Sequence, residues 1–269
     1  MDSIHDDFGS SLDSRWTLTR LGGGEVACVS SILRLSFEQA KTEQYTDAQI
    51  DDYAAPRHPQ FSWHPPLRLE VRARASNPAA HPNGTGGRFA LVGTAGFGFW
   101  NLPFSTSGDV LRLPDAVWFF YASPPSQMRL VPHSPGWGWK AQVVHAHRLG
   151  ALAAGLPTLT SIAWARLTGN QAPASHWVQR LSGTRETILD VDLTTWHDYR
   201  LEWRREAAHF WVDGELVFTA PNPPRGPLGF VAWIDNQYAI ATPRGQFQFG
   251  TLNSGPQWLE LDSVEIAHL

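Results

Sequence analysis

Residues 196–203 read Trp-His-Asp-Tyr-Arg-Leu-Glu-Trp, and residues 209–217 read His-Phe-Trp-Val-Asp-Gly-Glu-Leu-Val. In both stretches polar side chains alternate with apolar or aromatic ones, which is the period of a half-buried strand. The Asp213-Gly214 pair inside the second stretch is a strong signal for a two-residue hairpin turn. This part of the chain therefore predicts antiparallel strands joined by tight turns.

Strand patterns continue on both sides of this region. Residues 67–75 place four apolar side chains and Ala75 on one face and charged side chains on the other. Residues 31–37 and 188–193 alternate in the same way, whereas residues 116–122 form a nearly continuous apolar run that is typical of a strand buried on both faces. The sequence predicts an all-β protein.

The composition agrees with this fold class. The 269 residues include 13 Trp, 14 Phe, 23 Gly and 20 Pro, and only 17% are charged, which favours short strands and turns over helical packing. A β-sandwich of this length is commonly one domain, so we expect a single domain over residues 1–269. One helical insertion is predicted at residues 140–167, where Ala, Leu, Val, His and Arg dominate and Gly155 and Pro157 divide two short helices.

Charge and hydropathy exclude several classes of partner. The net charge is -4 and the basic residues are scattered, which disfavours nucleic acid. No apolar run is long enough to span a bilayer, and the amino terminus lacks the basic and apolar regions of a secretion signal, which predicts a cytoplasmic protein.

Cys28 stands alone, so no internal disulfide can form, and we expect it to be buried in an early strand.

The two stretches quoted first resemble the paired strands of glycoside hydrolase family 16, the laminarinase and lichenase group, whose pattern is roughly Phe-His-x-Tyr-x-x-x-Trp followed by Val-Asp-Gly. Residues 69–74 are similar to the early strand of that family, and residues 261–266 to its terminal strand. The resemblance implies a concanavalin A-like jelly roll of two antiparallel sheets, one of which forms a cleft for an extended glycan.

The acids that the family uses in hydrolysis are missing from their expected place. Retaining members carry a Glu-x-Asp-x-x-Glu strand between the early strand and the hairpin, because a nucleophile and an acid must lie about 5 to 5.5 Å apart. In this chain the interval contains residues 116–122, which have no carboxylate. A literal match occurs at residues 260–265, but it coincides with the closing strand, so we expect its carboxylates on the outer sheet in contact with water.

Aromatic side chains are the first candidates for binding a ligand, because their faces stack on sugar rings or enclose apolar molecules. Such a role is possible wherever a strand face points into the cleft, and core packing is the alternative. The candidate tryptophans are Trp100, Trp118, Trp137, Trp139 and Trp233.

Polar residues that end the apolar strands are the second group of candidates. Asn101 follows one such strand, and Asp235, Asn236 and Gln237 follow another. They can hydrogen-bond a ligand or satisfy the backbone of a turn. Alternation places Asp235 on the same face as Trp233, which makes it the carboxylate to test first, with His145 as a possible acid-base partner. No residues have the spacing of a metal site, and no cofactor is predicted.

Three functions are compatible with these observations. The first is a carbohydrate-recognising protein of the family 16 type, which could hydrolyse its ligand only through a rearranged acid pair. The second is a lectin-like module that binds glycans without cleaving them. The third is an intracellular enzyme or binder for an apolar small molecule in a Trp-lined cavity. A second carboxylate or a histidine near Asp235 would favour the first function.

Overall fold

The computed structural model describes residues 3–9, 12–53, 60–81, 87–101, 114–128, 131, 134–145, 183–241 and 247–269. Within these ranges the chain forms strands and one 3-10 helix at Gly87–Phe89. The first nine strands are β1 (Ile4–Asp6), β2 (Thr17–Leu21), β3 (Glu25–Val29), β4 (Ile32–Phe37), β5 (Asp47–Asp51), β6 (Leu67–Ala75), β7 (Thr94–Trp100), β8 (Asp115–Ala122) and β9 (Gln127–Met128). The second nine are β10 (Gly138–His145), β11 (Arg185–Ile188), β12 (His197–Trp203), β13 (Ala207–Val212), β14 (Glu215–Pro221), β15 (Gly229–Asp235), β16 (Gln237–Ala241), β17 (Phe247–Thr251) and β18 (Gln257–His268).

Two large antiparallel sheets form the framework. The eight-stranded sheet has the order β14-β13-β12-β6-β18-β4-β3, with β1 paired to β18, and the seven-stranded sheet has the order β11-β10-β8-β7-β15-β5-β2. A small third sheet contains β17, β16 and β9. The expectation of an all-β jelly-roll sandwich is confirmed. The expectation that residues 1–269 form a single domain stays a prediction.

The core lies between the two large sheets, where aromatic side chains of both meet. The Phe119 ring contacts the Tyr199 ring edge-on at 5.0 Å between centroids, and the Phe210 ring at 5.3 Å. The Phe99 ring lies 5.5 Å from that of Trp203. Burial of each such side chain contributes about 1.5–3 kcal/mol to the free energy of unfolding, so these rings account for much of the stability of the packing between the two sheets.

Long-range pairing assembles the strands that the sequence predicts. Strand β6 has the alternating burial expected of it and pairs with both β12 and β18. The Asp213-Gly214 turn joins β13 to β14, and both residues have positive φ angles, 52° and 82°. Positive φ at both central positions is what a type I′ hairpin turn requires.

Two local predictions are wrong. Residues 140–145 belong to strand β10, not to a helix, because they pair with β8 on one side and β11 on the other. Their composition misled the prediction because both faces of β10 are buried, and the polar Lys140 and Gln142 alternate with apolar residues over too short a stretch to outweigh the Ala- and Leu-rich residues that follow. The rest of the predicted insertion, residues 146–167, lies outside the described residues. Cys28 is exposed on the edge strand β3 and not buried.

The carboxylates of residues 260–265 lie on the eight-stranded sheet, as the alignment with the closing strand implies. Strand β18 lies between β6 and β4, with a register shift between Leu261 and Ser263. Asp262 is 47% exposed, but the Glu260 side chain is only 2% exposed because it bonds Arg34 and Arg74. These acids therefore stabilise the outer surface of the sandwich and do not face the tryptophans described next.

Candidate functional site

The face of the seven-stranded sheet that points away from the core carries four aromatic rings in contact. The Trp118 ring lies 5.9 Å from Trp100, 5.3 Å from Phe120 and 5.3 Å from Trp233. Phe120 and Trp233 are 6.0 Å apart. We call these four residues the aromatic platform, with Trp118 at its centre.

Glycines on β7 make room for the platform. Strand β7 runs between β8 and β15, and its Gly96 and Gly98 lie on the same face as the rings. A Cβ at Gly98 would lie 2.6 Å from the Cα of Trp118, and one at Gly96 would lie 3.0 Å from the Trp233 ring. The Gly-Phe-Gly-Phe pattern thus leaves space for indoles from the neighbouring strands.

The four rings of the platform differ in exposure. Phe120 and Trp233 are 6% and 8% exposed, whereas Trp100 and Trp118 are half-buried. A ligand would therefore meet the rings of Trp100 and Trp118 first, with the other two rings supporting them.

Strand β8 occupies the interval where the resemblance places catalytic carboxylates. Its side chains on the platform face include Trp118 and Phe120, and its only carboxylate, Asp115, is the first residue of the strand. The Asp115 side chain bonds His145 at 2.8 Å between Oδ1 and Nδ1. The centre of this strand therefore offers ring surface and no acid pair of the kind that a retaining mechanism requires.

Polar side chains border the platform on the β10 side. The Trp118 indole N–H donates to Gln142 Oε1 at 2.7 Å, and Gln142 Nε2 donates to Glu186 Oε2 at 2.6 Å. Lys140 Nζ donates to Glu186 Oε1 at 2.8 Å. The Lys140 and Glu186 side chains are 2% and 0% exposed, and burial lowers the pKa of Lys140 while Glu186 opposes that shift.

A second polar border lies on β5. Asp47, Gln49 and Asp51 alternate with the core residues of this strand and point to the platform face. Gln49 Nε2 donates to Asp51 Oδ2 at 2.9 Å and to the Tyr53 hydroxyl at 3.3 Å. The Trp100 indole N–H donates to the same hydroxyl at 3.0 Å. Hydrogen bonds through the Tyr53 hydroxyl therefore link β5, which has two carboxylates on this face, to Trp100 of the platform.

Asp235 has a second carboxylate beside it. Asp47 is its register partner on β5, and the two side chains are 3% and 4% exposed. Asp235 Oδ1 accepts hydrogen bonds from the Thr94 backbone at 3.1 Å, the Thr94 hydroxyl at 2.8 Å and the Gln237 backbone at 2.9 Å. Asp47 Oδ1 is buried without a hydrogen-bond partner. The position of Asp235 on the Trp233 face is as the sequence predicts, since Trp233 Nε1 bonds the same Thr94 hydroxyl.

The acid pair should make stability depend on pH. Burial raises the pKa of Asp235 to about 6, and burial together with the Asp235 charge raises the pKa of Asp47 well above its usual value. A carboxyl group whose pKa is raised in the folded state contributes to the free energy of unfolding while it is protonated. That contribution is lost as pH rises through the raised pKa, at about 1.4 kcal/mol per unit of pKa shift. We expect Asp47→Asn to be no more stable than the parent at pH 4 but more stable than the parent at pH 8, measured by urea denaturation.

The control for this prediction is Asp262→Asn, which removes a half-exposed carboxylate on the other sheet. Its stability should follow the same pH dependence as the parent. Equal pH dependence in the parent and in Asp47→Asn would show that Asp47 does not carry the buried charge.

His145 is not near Asp235. Asp235 aligns through Thr94 and Ala122 with Gly138 at the start of β10, and His145 is the last residue of that strand. Seven residues of extended strand separate Gly138 from His145, roughly 23 Å. The structure therefore does not bring the predicted acid-base pair together.

The other predicted residues occupy different environments. Trp139 is 3% exposed and faces the core, with its ring 5.8 Å from that of Phe97, and Trp137 also packs against the core. The Asn236 side chain donates to three backbone carbonyls and accepts from the Thr46 backbone N–H, so it satisfies the backbone hydrogen-bonding groups of a turn. Asn101 accepts from the Asp115 backbone, and Gln237 is exposed at the start of β16. The predicted residues that lie together are thus Trp100, Trp118, Trp233 and Asp235.

Several residues of the site were not predicted from sequence. Asp47, Gln49 and Asp51 stand in a Asp-Ala-Gln-Ile-Asp segment whose alternation is a strand signal. Gln142 and Lys140 were hidden by the helical interpretation of their segment. Glu186 has no sequence signal, because its role depends on the pairing of β10 with β11.

Among the described residues, no three His, Cys, Asp or Glu side chains are grouped so as to hold a metal ion. No helix in the same ranges is long and apolar enough to cross a bilayer.

Comparison with known proteins gives structural matches only. No protein-family model matches the sequence, and no curated protein sequence matches it. A β-glucanase of Bacillus licheniformis superposes with a TM-score of 0.52 at 12% identity, covering 99% of this chain and 98% of the other. An immunostimulatory antigen and pseudo β-1,3-glucanase of Mycobacterium tuberculosis gives 0.52 at 14% identity with the same coverage. A Clostridium perfringens endo-β-galactosidase that releases GlcNAcα1-4Gal gives 0.53 at 13% identity, covering 98% of this chain and 61% of the other. The chain has the jelly-roll fold of these proteins, which confirms the resemblance at the level of fold.

Proposed function

We propose that this protein recognises a carbohydrate chain on the aromatic platform and does not cleave it by the two-carboxylate mechanism. The observation that carries the proposal is the pair of rings on the platform face of β8, Trp118 and Phe120, which stack at 5.3 Å in the interval where the resemblance places the catalytic acids. Ring faces bind the apolar C–H faces of sugars, and neighbouring amide groups can bind hydroxyl groups.

Three features support this function. Trp100 and Trp118 are the more exposed rings, and Gln49, half-buried, lies on the same face of the sheet. The fold is shared with a β-glucanase, a pseudo β-1,3-glucanase and an endo-β-galactosidase, all of which are named for carbohydrate chemistry. The analogy of fold raises the expectation of a glycan ligand.

A glycosidase with a rearranged acid pair is the second candidate, and the pairing of Asp47 with Asp235 favours it. Two features weigh against hydrolysis by this pair. Both carboxylates are almost fully buried, and Asp235 Oδ1 is already occupied by three donors. A nucleophile must reach the anomeric carbon of its substrate, so an occupied and buried carboxylate is poorly suited to that role.

The proposal is tested by titrating soluble linear β-glucans and β-galactans into the full chain in a calorimeter and assaying the same mixtures for new reducing ends. We expect saturable binding of at least one glycan and no reducing ends after prolonged incubation. Release of reducing ends that is lost in Asp235→Asn would support the glycosidase. Absence of binding to every glycan, with binding of an apolar aromatic probe, would favour the small-molecule alternative.

A further inference from the structure

We infer that the indole N–H groups of the platform are held by the protein itself, through neutral side chains that end at buried carboxylates, so that the rings recognise a ligand with their faces alone. This inference rests on the proposed function and names the residues that position the platform. These are Tyr53, Thr94 and Gln142, which contact the indoles, and Asp51, Asp235 and Glu186, which end the chains of hydrogen bonds.

In two of the three chains of hydrogen bonds, every bond is donated in the direction from the indole to the carboxylate. Trp233 Nε1 donates to the Thr94 hydroxyl at 2.9 Å, and that hydroxyl donates to Asp235 Oδ1 at 2.8 Å. Trp118 Nε1 donates to Gln142, which in turn donates to Glu186. Successive hydrogen bonds of this kind polarise one another, and a carboxylate acceptor strengthens the last of them.

The third chain holds the more exposed edge of the platform. Trp100 Nε1 donates to the Tyr53 hydroxyl, which also accepts from Gln49, and Gln49 donates to Asp51 Oδ2. Tyr53 and Asp51 are 4% and 3% exposed, so water competes little for these bonds. All three tryptophans of the platform therefore have a protein acceptor: Tyr53 and Gln142 are buried, and Thr94 is half-buried.

Two consequences follow for recognition. An indole whose N–H is already bonded cannot donate to a sugar hydroxyl, so the tryptophans select for an extended apolar face. Rings that are fixed before binding lose little conformational entropy when the ligand arrives, which increases affinity. The carboxylates near the platform thus act through the tryptophans, as positioning residues, and not on the ligand.

The experiment compares variants that remove a single acceptor. Tyr53→Phe deletes the acceptor of Trp100, and Thr94→Val deletes that of Trp233 with almost no change of shape. We expect each variant to weaken binding of the soluble β-glucan or β-galactan that the parent binds by about three- to tenfold, the effect of one lost hydrogen bond. Thr94→Ser keeps the hydroxyl and should retain the affinity of the parent. In NMR spectra without ligand, the indole N–H of Trp100 should exchange slowly in the parent and rapidly in Tyr53→Phe.

The matched control is Tyr121→Phe, which removes a buried tyrosine hydroxyl from the core face of the same sheet, where it donates to Leu91 O at 2.7 Å. It should lower stability but leave binding unchanged. If the parent binds a glycan and both Tyr53→Phe and Thr94→Val bind it equally well, the inference is overturned while the proposed function stands. If the parent binds no glycan, the proposed function fails and this inference fails with it.

Discussion

Trp118→Ala should reduce glycan binding by at least about 30-fold, to near the limit of detection in a calorimetric titration. Trp118 contacts the other three rings of the platform and is itself half-buried, so its loss removes a stacking surface and the support of Trp100. Truncation of a central aromatic anchor typically costs 2 kcal/mol or more in binding, and about 1.4 kcal/mol corresponds to a factor of ten.

Two variants control for this result. Trp211→Ala removes a tryptophan from β13 of the other sheet, where its ring lies 4.2 Å from the Arg200 guanidinium, and it should leave binding unchanged. Trp118→Phe keeps a ring face and should recover part of the affinity. Full binding by a folded Trp118→Ala protein would place the ligand somewhere other than the platform.

Glu186→Ala should lower the free energy of unfolding by about 3–5 kcal/mol, because the buried Lys140 ammonium keeps its bond to the Pro135 carbonyl but loses its anionic partner. The two side chains are 2% and 0% exposed, and Glu186 also accepts from Gln142 and from the Ser134 hydroxyl. Urea denaturation at pH 7 measures the loss.

The double variant Lys140→Met, Glu186→Leu distinguishes an unpaired charge from a simple loss of packing. It removes both charges while keeping apolar volume, so its stability should return to within about 1–2 kcal/mol of the parent. A double variant as unstable as Glu186→Ala would mean that the ion pair itself stabilises the sheet. A single variant that loses less than about 1 kcal/mol would contradict the buried-charge interpretation.

The strands were predictable where one face is polar and the other apolar. Strand β6 and the β13–β14 hairpin match their sequence predictions because burial on one face leaves a period of two in the sequence. Strand β10 was not predictable in this way. Its Lys140 and Gln142 are buried by pairing with Glu186, which is more than forty residues away in the chain.

The site was predictable in part for the same reason. The common face of Trp233 and Asp235 follows from alternation along one strand. The partnership of Asp235 with Asp47 depends on which strands are neighbours in the sheet, and periodicity carries no such information. From the sequence alone, Trp139 was as plausible a ligand-binding residue as Trp118. Their strands β10 and β8 are adjacent, but the Trp139 ring lies on the core face of the sheet and the Trp118 ring on the platform face.

The most direct measurement is a crystal structure of the full chain soaked with an oligosaccharide of the glycan that it binds. We expect an unbroken sugar chain with its C–H faces on the rings of Trp100 and Trp118. A ligand bound on the eight-stranded sheet, or cleaved products beside Asp47 and Asp235, would contradict it.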